Sequence, residues 1–416
     1  MDFPINQLFI RAARWGAYET IIFNILLSIH TALLFIIMPQ SDYGILGVSL
    51  SCIYTIALLC TMGNDITTGR ILGALPTKYS IISALLVHAL HALVIGCISI
   101  FLGFYIYYDL LGNTYNTLFV LSCLVIFVEV LRKIIKALLL TMRSFDHVAH
   151  IEIASILLYM VLVWSLYGLG YILTPCMLIA LLCVISGSTS IFFSTLLYNH
   201  YKKATDGAWP HWHPIATIKI RAVLCSIAHS IFSGNYIVPL TAACIGTIYA
   251  GSMKCASTLI QNGINVAERI YCSNSSLLFS HIKYDARAAK RILHLIHTSM
   301  IPILFIGSLS IYGLLCILMY QKGCFHSMPL IGIYVMMQLA GIISNIFERF
   351  LLAKEDPYII YIQTSVICAA ISCLYMRSAL TYTSLLIVLT LVRISFLCMI
   401  VYRVHFGDHA QVVADK

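Results

Sequence analysis

The sequence predicts an all-α polytopic membrane protein with about twelve transmembrane helices. Three observations support this fold class: 61% of the 416 residues are hydrophobic, only 10% are charged, and the mean hydropathy is +0.94. Apolar stretches of about 20 residues, the length that crosses a hydrocarbon core, recur along nearly the whole chain. Because unpaired backbone groups are costly in lipid and the stretches show no alternation, each is expected to form a helix.

The predicted spans follow one another with short polar connections between them. No cleavable signal peptide is expected before the first span, because residues 1–16 contain Asp2, Arg11 and Arg14 and lack a separate small-residue cleavage site. In chain order the spans are 17–38, 44–63, 80–106, 115–141, 150–172, 174–198, 220–240, 243–268, 292–319, 328–352, 357–376 and 380–403.

The distribution of lysine and arginine predicts the orientation of the chain. Most of the 25 cationic residues fall on or near one side of the predicted membrane, and the opposite side receives only Lys322 and Arg377. By the positive-inside rule both termini are expected to be cytoplasmic, in a cell (inner or cytoplasmic) membrane. The net charge of +9 is largely explained by this topology, so no nucleic-acid partner is expected.

A polar interruption at 199–216 divides the chain into two halves, which predicts six-helix bundles at 1–198 and 217–416 joined by a cytoplasmic linker. Similar polar segments end the second span of each half, at 63–70 and 263–269. Six spans per half is an even number, so both halves enter the membrane from the same side. This predicts a parallel repeat related by a pseudo-two-fold axis along the membrane normal, around a central cavity.

Polar residues inside the eighth span form one stripe. The stripe follows a spacing of three or four residues, which places its members on one helical face: Lys254, Thr258, Gln261, Asn265 and either Glu268 or Arg269. Burying a charge near the bilayer centre costs at least about 2.5–3.5 kcal/mol, so the stripe is expected to face a bundle interior or an aqueous cavity. Two alternatives remain open. Lys254 could snorkel to the nearer interface, or it could pair with a buried carboxylate for packing alone.

Other charged residues within the spans receive separate interpretations. Arg393 lies near the middle of the last span with no carboxylate within one helical turn, so its partner must come from another helix. Glu129 precedes Arg132 and Lys133 by three and four residues, which favours local ion pairs over a proton relay. Glu19 is expected to form a salt bridge at the edge of the first span.

No pattern indicates an enzyme, a cofactor or a metal site. The fifteen cysteines lack CxxC spacing, and the sequence has no Walker A, GxSxG or HExxH motif. The pairs His88/His91 and His294/His297 have no evident further ligands, so helix–helix hydrogen bonding is favoured over metal binding.

Three segments resemble the polysaccharide and O-antigen flippases of the multidrug/oligosaccharidyl-lipid/polysaccharide exporter superfamily. They are Ser41-Asp-Tyr-Gly-Ile-Leu-Gly-Val-Ser-Leu-Ser-Cys-Ile-Tyr, followed by Gly63-Asn-Asp-Ile-Thr-Thr-Gly-Arg70, and Gly246-Thr-Ile-Tyr-Ala-Gly-Ser-Met-Lys254. The resemblance implies two six-helix bundles that alternate between inward-open and outward-open states. It also implies a polyprenyl-diphosphate-linked oligosaccharide as cargo, moved from the cytoplasmic to the outer leaflet.

The resemblance and the residue chemistry together predict the substrate-binding residues. Lys254 and Arg393 would bind the anionic diphosphate, and the amides of Gln261, Asn262 and Asn265 would bind sugar hydroxyls. Cations at the cytoplasmic mouth would attract the head group; these are Arg14, Arg70 and Arg269.

Other functions stay open. A cation-coupled drug or metabolite antiporter of the same superfamily is the main alternative, although its members usually hold acidic residues within the membrane, whereas the deep charges here are expected to be cationic. A coupling ion, H⁺ or Na⁺, is compatible with either function. A scaffold or an acyltransferase is the remaining alternative.

Overall fold

We describe the protein from a computed structural model. The backbone is described for residues 5–61, 68, 71–72, 77–111, 116–206, 232–272, 294, 297–298, 301–353, 358–375 and 381–414. Side chains are described for residues 14–61, 68, 71–72, 77–97, 116–206, 232–263, 266, 294, 297–298, 301–344, 346–347, 351, 362–369, 371–372 and 381–404.

The described chain is helical, as predicted. It contains one 3-10 turn, Phe325–Ser327, one isolated β-bridge between Thr77 and Thr205, and no strand. Twelve α-helices are described: α1 Ile5–Ile37, α2 Gln40–Thr61, α3 Lys78–Leu111, α4 Asn116–Thr141, α5 Phe145–Gly168, α6 Pro175–Lys203, α7 Gly234–Ile245, α8 Thr247–Cys272, α9 Ile301–Gln321, α10 Met328–Ala353, α11 Tyr358–Tyr375 and α12 Tyr382–Ala414. Each helix overlaps one of the twelve predicted spans, so the predicted all-α fold class is confirmed.

Eight segments of the described residues are long and apolar enough to cross a membrane. They lie in α1, α2, α3, α5, α6, α9, α10 and α12. An α-helix pairs its interior backbone N–H and C=O groups within the segment, which is the condition for crossing hydrocarbon. The protein is therefore an integral membrane protein.

The helix ends differ from the predicted span ends where local backbone chemistry decides them. Gly246 ends α7 with a φ of 103°, a left-handed conformation that glycine adopts without steric cost, so the break falls later than predicted. At the start of α6, Thr174 accepts a hydrogen bond from Met177 N at 3.3 Å, and Pro175 occupies the first turn. α1 and α12 both extend beyond the apolar stretches, to Ile5 and Ala414.

The described residues fall into two compact units. The first lies within Met1–Ser226 and Val238–Lys254, and the second within Ile227–Ile237 and Cys255–Lys416. In the first unit α4 packs along α6, α1 along α5, and α2 against α3 and α4. In the second unit α12 packs against α10 and α11, and α9 packs on α10. The bundle bounds from the sequence, 1–198 and 217–416, stay a prediction.

Several sequence-based predictions fall outside the described residues. They concern the linker after residue 206, the first part of the seventh span, and the polar segment at 63–70 apart from Thr68.

Glycines allow α2 and the first part of α8 to pack backbone against backbone within the first unit. A Cβ atom on Gly44 would lie 1.9 Å from the carbonyl oxygen of Thr247, and one on Gly47 would lie 2.9 Å from Lys254 Cβ. On the facing helix, a Cβ on Gly251 would lie 3.2 Å from Gly44 N. This is the small-residue packing that brings helices close together in membranes.

Gly44→Ala is expected to destabilise the first unit, because the clashing oxygen belongs to the backbone and cannot rotate away. Overpacking of this kind lowers the free energy of unfolding by about 1–3 kcal/mol or more. The matched control is Gly187→Ala in α6, where nothing lies within 4 Å of the added Cβ. Because alanine favours a helix over glycine, the control is expected to retain or raise stability by up to about 1 kcal/mol. Thermal unfolding in detergent, followed by size-exclusion chromatography, measures both; equal midpoints would contradict this packing.

Candidate functional site

Lys254 is buried on α8 against the glycine face of α2. It lies about seven residues, or ~10 Å, after the start of α8, nearer to this end than the ten residues expected from the sequence. Its side chain is 9% exposed. The burial arises because Gly47 of α2 leaves room for the first carbons of the lysine stem.

The Lys254 amine points toward the middle of α2. The contacts of Gly44 with Thr247 and of Gly47 with Lys254 show that α2 and α8 run in the same direction here. Lys254 Nζ lies 6.0 Å from the ring centroid of Tyr54, which is about two turns further along α2 than Gly47. The side chain therefore extends away from the nearer helix ends, opposite to a lysine that snorkels to the nearer interface.

The remaining polar stripe of α8 is only partly described. Thr258 and Gln261 are half-buried on the face of Lys254, whereas Asn262 is buried beside them with 5% exposure. Asn265 and Arg269 belong to α8, but their side chains lie outside the described residues. Helical geometry thus keeps Lys254, Thr258 and Gln261 on one face, as predicted.

Arg393 is enclosed within the second unit, with 3% exposure. Its guanidinium carbon lies 5.0 Å from the ring centroid of Phe232 and 5.3 Å from that of Phe396, within cation–π range. Nη2 donates to the carbonyl oxygen of Gly341 at 3.3 Å, and a Cβ on Gly341 would lie 3.0 Å from Arg393 Nε. Outside α12, Arg393 contacts the backbone carbonyl of Gly341 on α10 and the ring of Phe232, whereas Phe396 belongs to α12 itself.

The predicted cations of the cytoplasmic mouth are placed in part. Arg14 is exposed on α1. Arg70 lies outside the described residues, and Arg269 is described by its backbone alone. The structure therefore describes the side chain of one of these three arginines.

The first unit contains a buried ion network that joins four helices. Arg132 of α4 binds two carboxylates, with Nη2 2.8 Å from Glu129 Oε2 and Nη1 2.5 Å from Glu152 Oε2. Ser186 of α6 donates to the other oxygen of Glu129 at 2.5 Å. Lys136 Nζ lies 2.6 Å from Glu19 Oε1 and 3.1 Å from Glu152 Oε1, the second contact being an ion pair without hydrogen-bond geometry.

This network corrects the expectation that the deep charges are cationic. The side chains of Glu129 and Glu152 are 2% and 3% exposed, and with Glu19 three carboxylates face two cations. The predicted local pair of Glu129 with Arg132 is present. Glu152 was not predicted from the sequence, although a carboxylate inside a predicted span is the signal that marks such a residue.

The contacts of one of the two histidine pairs, His88/His91, are described. His88 Nε2 lies 2.7 Å from Thr68 Oγ1, and His91 Nε2 lies 3.3 Å from the carbonyl oxygen of Leu59. These are contacts with residues of neighbouring segments, the role favoured from the sequence. Within the described residues, no group of three or more His, Cys, Asp or Glu could hold a metal ion.

The fold resembles solved membrane transporters, whereas sequence comparison alone finds no relative. No protein-family model matches the chain, and no curated protein matches it. The inward-facing form of a multidrug resistance MATE family transporter of the MOP superfamily is 13% identical, covering 99% of this chain and 96% of that chain, with a TM-score of 0.55. MATE in complex with MaL6 is 12% identical over 97% of this chain and 96% of that chain, with a TM-score of 0.57.

A third similar structure is distinguished by the polarity of its binding pocket. It is a MOP superfamily transporter from Pyrococcus furiosus, for which a binding pocket of reverse polarity suggests a different function. It is 13% identical, covering 97% of this chain and 96% of that chain, with a TM-score of 0.50. These likenesses show the fold of the chain, and the predicted two-bundle arrangement of twelve helices fits it.

Glu152→Gln is expected to destabilise the protein strongly, because it leaves Arg132 and Lys136 with less compensating charge in a buried setting. Breaking a buried ion pair costs about 3–5 kcal/mol, whereas a partly exposed pair is worth about 1 kcal/mol or less. The control is Glu19→Gln, whose side chain is 17% exposed at the edge of the same network. Thermal unfolding in detergent measures both variants. Equal stability of the two would contradict Glu152 as the centre of the network.

Proposed function

We propose that the protein is a secondary transporter that carries an anionic amphiphile across the membrane. The membrane-spanning helices and the transporter fold support a transport function. The observation that carries the proposal is Lys254, buried against Gly47 with its amine directed along α2 toward Tyr54. Burying a cation inside a membrane helix is energetically costly, so such a residue is interpreted as functional by default.

The proposed cargo is a polyprenyl-diphosphate-linked oligosaccharide, flipped from the cytoplasmic to the outer leaflet for cell-envelope glycan synthesis. A diphosphate loses hydration when it enters the membrane, and charge-assisted hydrogen bonds from lysine or arginine replace part of it. Lys254 and Arg393 are proposed as these cations. The amides of Gln261, Asn262 and Asn265 are proposed to bind sugar hydroxyls, and the lipid tail stays in the bilayer.

The proposed topology has both termini in the cytoplasm of a cell whose inner membrane holds the protein. In that orientation the head group first meets Arg14, Arg70 and Arg269, which raise its local concentration by electrostatic attraction. A coupling ion, H⁺ or Na⁺, belongs to the same proposal.

A cation-coupled drug or metabolite antiporter is the second candidate. The specific observation in its favour is the excess of carboxylates in the network of Glu129, Glu152 and Glu19, because buried acidic groups suit cation binding. In the described conformation, however, both oxygens of Glu129 are engaged by Arg132 and Ser186. Binding a cation there requires that these contacts open.

Lys254→Ala is expected to lower lipid flipping sharply, because the amine that binds the diphosphate is lost. A charge-assisted hydrogen bond is worth about 1.5–3 kcal/mol, so the apparent affinity should fall about tenfold or more. Arg393→Ala is expected to have a similar effect, and Lys254→Arg should partly preserve transport. The measurement uses proteoliposomes with a fluorescent polyprenyl-diphosphate oligosaccharide and an impermeant quencher.

The matched control is Lys202→Ala, which removes an exposed cation that rests on the ring of Tyr198. Size-exclusion profiles of all variants separate lost transport from lost folding. Normal flipping by both alanine variants would contradict the proposed cation site. Uptake of a cationic dye driven by an H⁺ or Na⁺ gradient, lost in Glu129→Gln and kept in Lys254→Ala, would instead establish the second candidate.

A further inference from the structure

His30 is an enclosed imidazole in the half of α1 away from the N-terminus. Its residue is 3% exposed, and neither ring nitrogen has a hydrogen-bond partner among the residues that the structure describes. A buried polar group without a partner costs about 1–3 kcal/mol, so its position in a membrane helix requires a reason.

Two aromatic residues of α5 contact the imidazole. The His30 ring centroid lies 5.2 Å from that of Tyr159 and 5.7 Å from that of Trp164, at interplanar angles of 67° and 81°. Such edge-to-face contacts let an N–H of one ring approach the π face of another. Trp164 Nε1 is also buried and without a hydrogen-bond partner in the described part of the chain.

His30, Tyr159 and Trp164 lie near the ends of α1 and α5 that are opposite to the ion network. His30 is about seven residues, or ~10 Å, from the end of α1, and Trp164 about four residues, or ~6 Å, from the end of α5. Glu19 is three turns away along α1, and Glu152 is two turns before Tyr159 along α5. Other acidic, basic and phenolic groups on α1 and on the helices packed against it are Arg14, Tyr18, Asp42, Tyr43, Tyr54, Asp146, His147, His150 and Tyr167.

We propose that His30 binds a proton from the solution at this end of the first unit, which the proposed topology places outside the cell. The imidazole lone pair accepts H⁺ from a hydronium ion, so one O–H bond of the hydronium breaks, a second ring N–H forms and water is released. The electron-rich rings of Tyr159 and Trp164 stabilise the imidazolium that forms. Among ordinary side chains, histidine has the unperturbed pKa nearest to neutral pH, which suits it to bind and release a proton.

Protonation changes the packing of α1 on α5, because it places a positive charge at a point where the two helices meet through aromatic contacts. Acidification on that side therefore shifts the balance between arrangements of this helix pair. The link to cargo movement rests on the function proposed above, whereas the protonation itself does not.

Trp164 reports the proton, because a protonated imidazole quenches the fluorescence of an adjacent indole. The experiment uses a protein with Trp15, Trp209 and Trp212 replaced by phenylalanine, so that Trp164 is the only tryptophan. We expect its emission to fall as the pH of a detergent solution is lowered from about 8 to 4. His30→Gln and His30→Asn, two neutral replacements, are each expected to abolish this change.

The chain offers a matched control at the opposite end of the same two helices. The ring centroid of Trp15 on α1 lies 5.0 Å from that of His150 on α5, so a protein that keeps only Trp15 gives a comparison emission profile from that end. His30→Gln should leave the Trp15 profile unchanged, because His30 lies about three to four turns away along α1.

A flat Trp164 profile in the folded single-tryptophan protein would overturn the proposal, whether or not the His30 variants fold. A profile that persists in a folded His30 variant would overturn it as well. Normal lipid flipping together with a flat Trp164 profile would remove the proton site and leave the proposed function intact.

Discussion

The high cost of placing charge in hydrocarbon governs this structure. Different local contacts compensate the buried charges of the two units. Glu129 and Glu152 share the guanidinium of Arg132, and Arg393 lies against two phenylalanine rings and the carbonyl oxygen of Gly341. Because the packing of the helices positions these contacts, the placement of the buried charges and the helix packing depend on each other.

The ion network shows this dependence most clearly, because its members come from distant parts of the chain. Lys136 binds Glu19 across 117 residues, and Ser186 binds Glu129 across 57. A buried ion pair adds little net stability compared with apolar packing, but losing one partner is costly. We therefore expect the network to fix the register of α1, α4, α5 and α6 more than it raises the total stability of the unit.

The sequence predicts features that depend on neighbours along one helix. The twelve spans follow from hydropathy, the pair of Glu129 with Arg132 from a spacing of three residues, and the face of Lys254 and Gln261 from the helical period. Such patterns do not predict which residues of different helices contact each other. The pairing of α1 with α5, which brings Glu152 toward Glu19 and Trp164 onto His30, depends on three-dimensional packing that hydropathy does not encode.

The sign of the cargo can be argued from how the buried charges of each sign are compensated. The carboxylates of the network already hold cationic partners at 2.5–3.1 Å, so a cationic cargo must displace an arginine or a lysine. Lys254 lies beside the ring of Tyr54, with Nζ 6.0 Å from the ring centroid. An anionic cargo would add a charge-assisted contact to Lys254, whereas a cationic cargo would compete with arginine and lysine for the carboxylates of the network. This difference supports the anionic cargo proposed above.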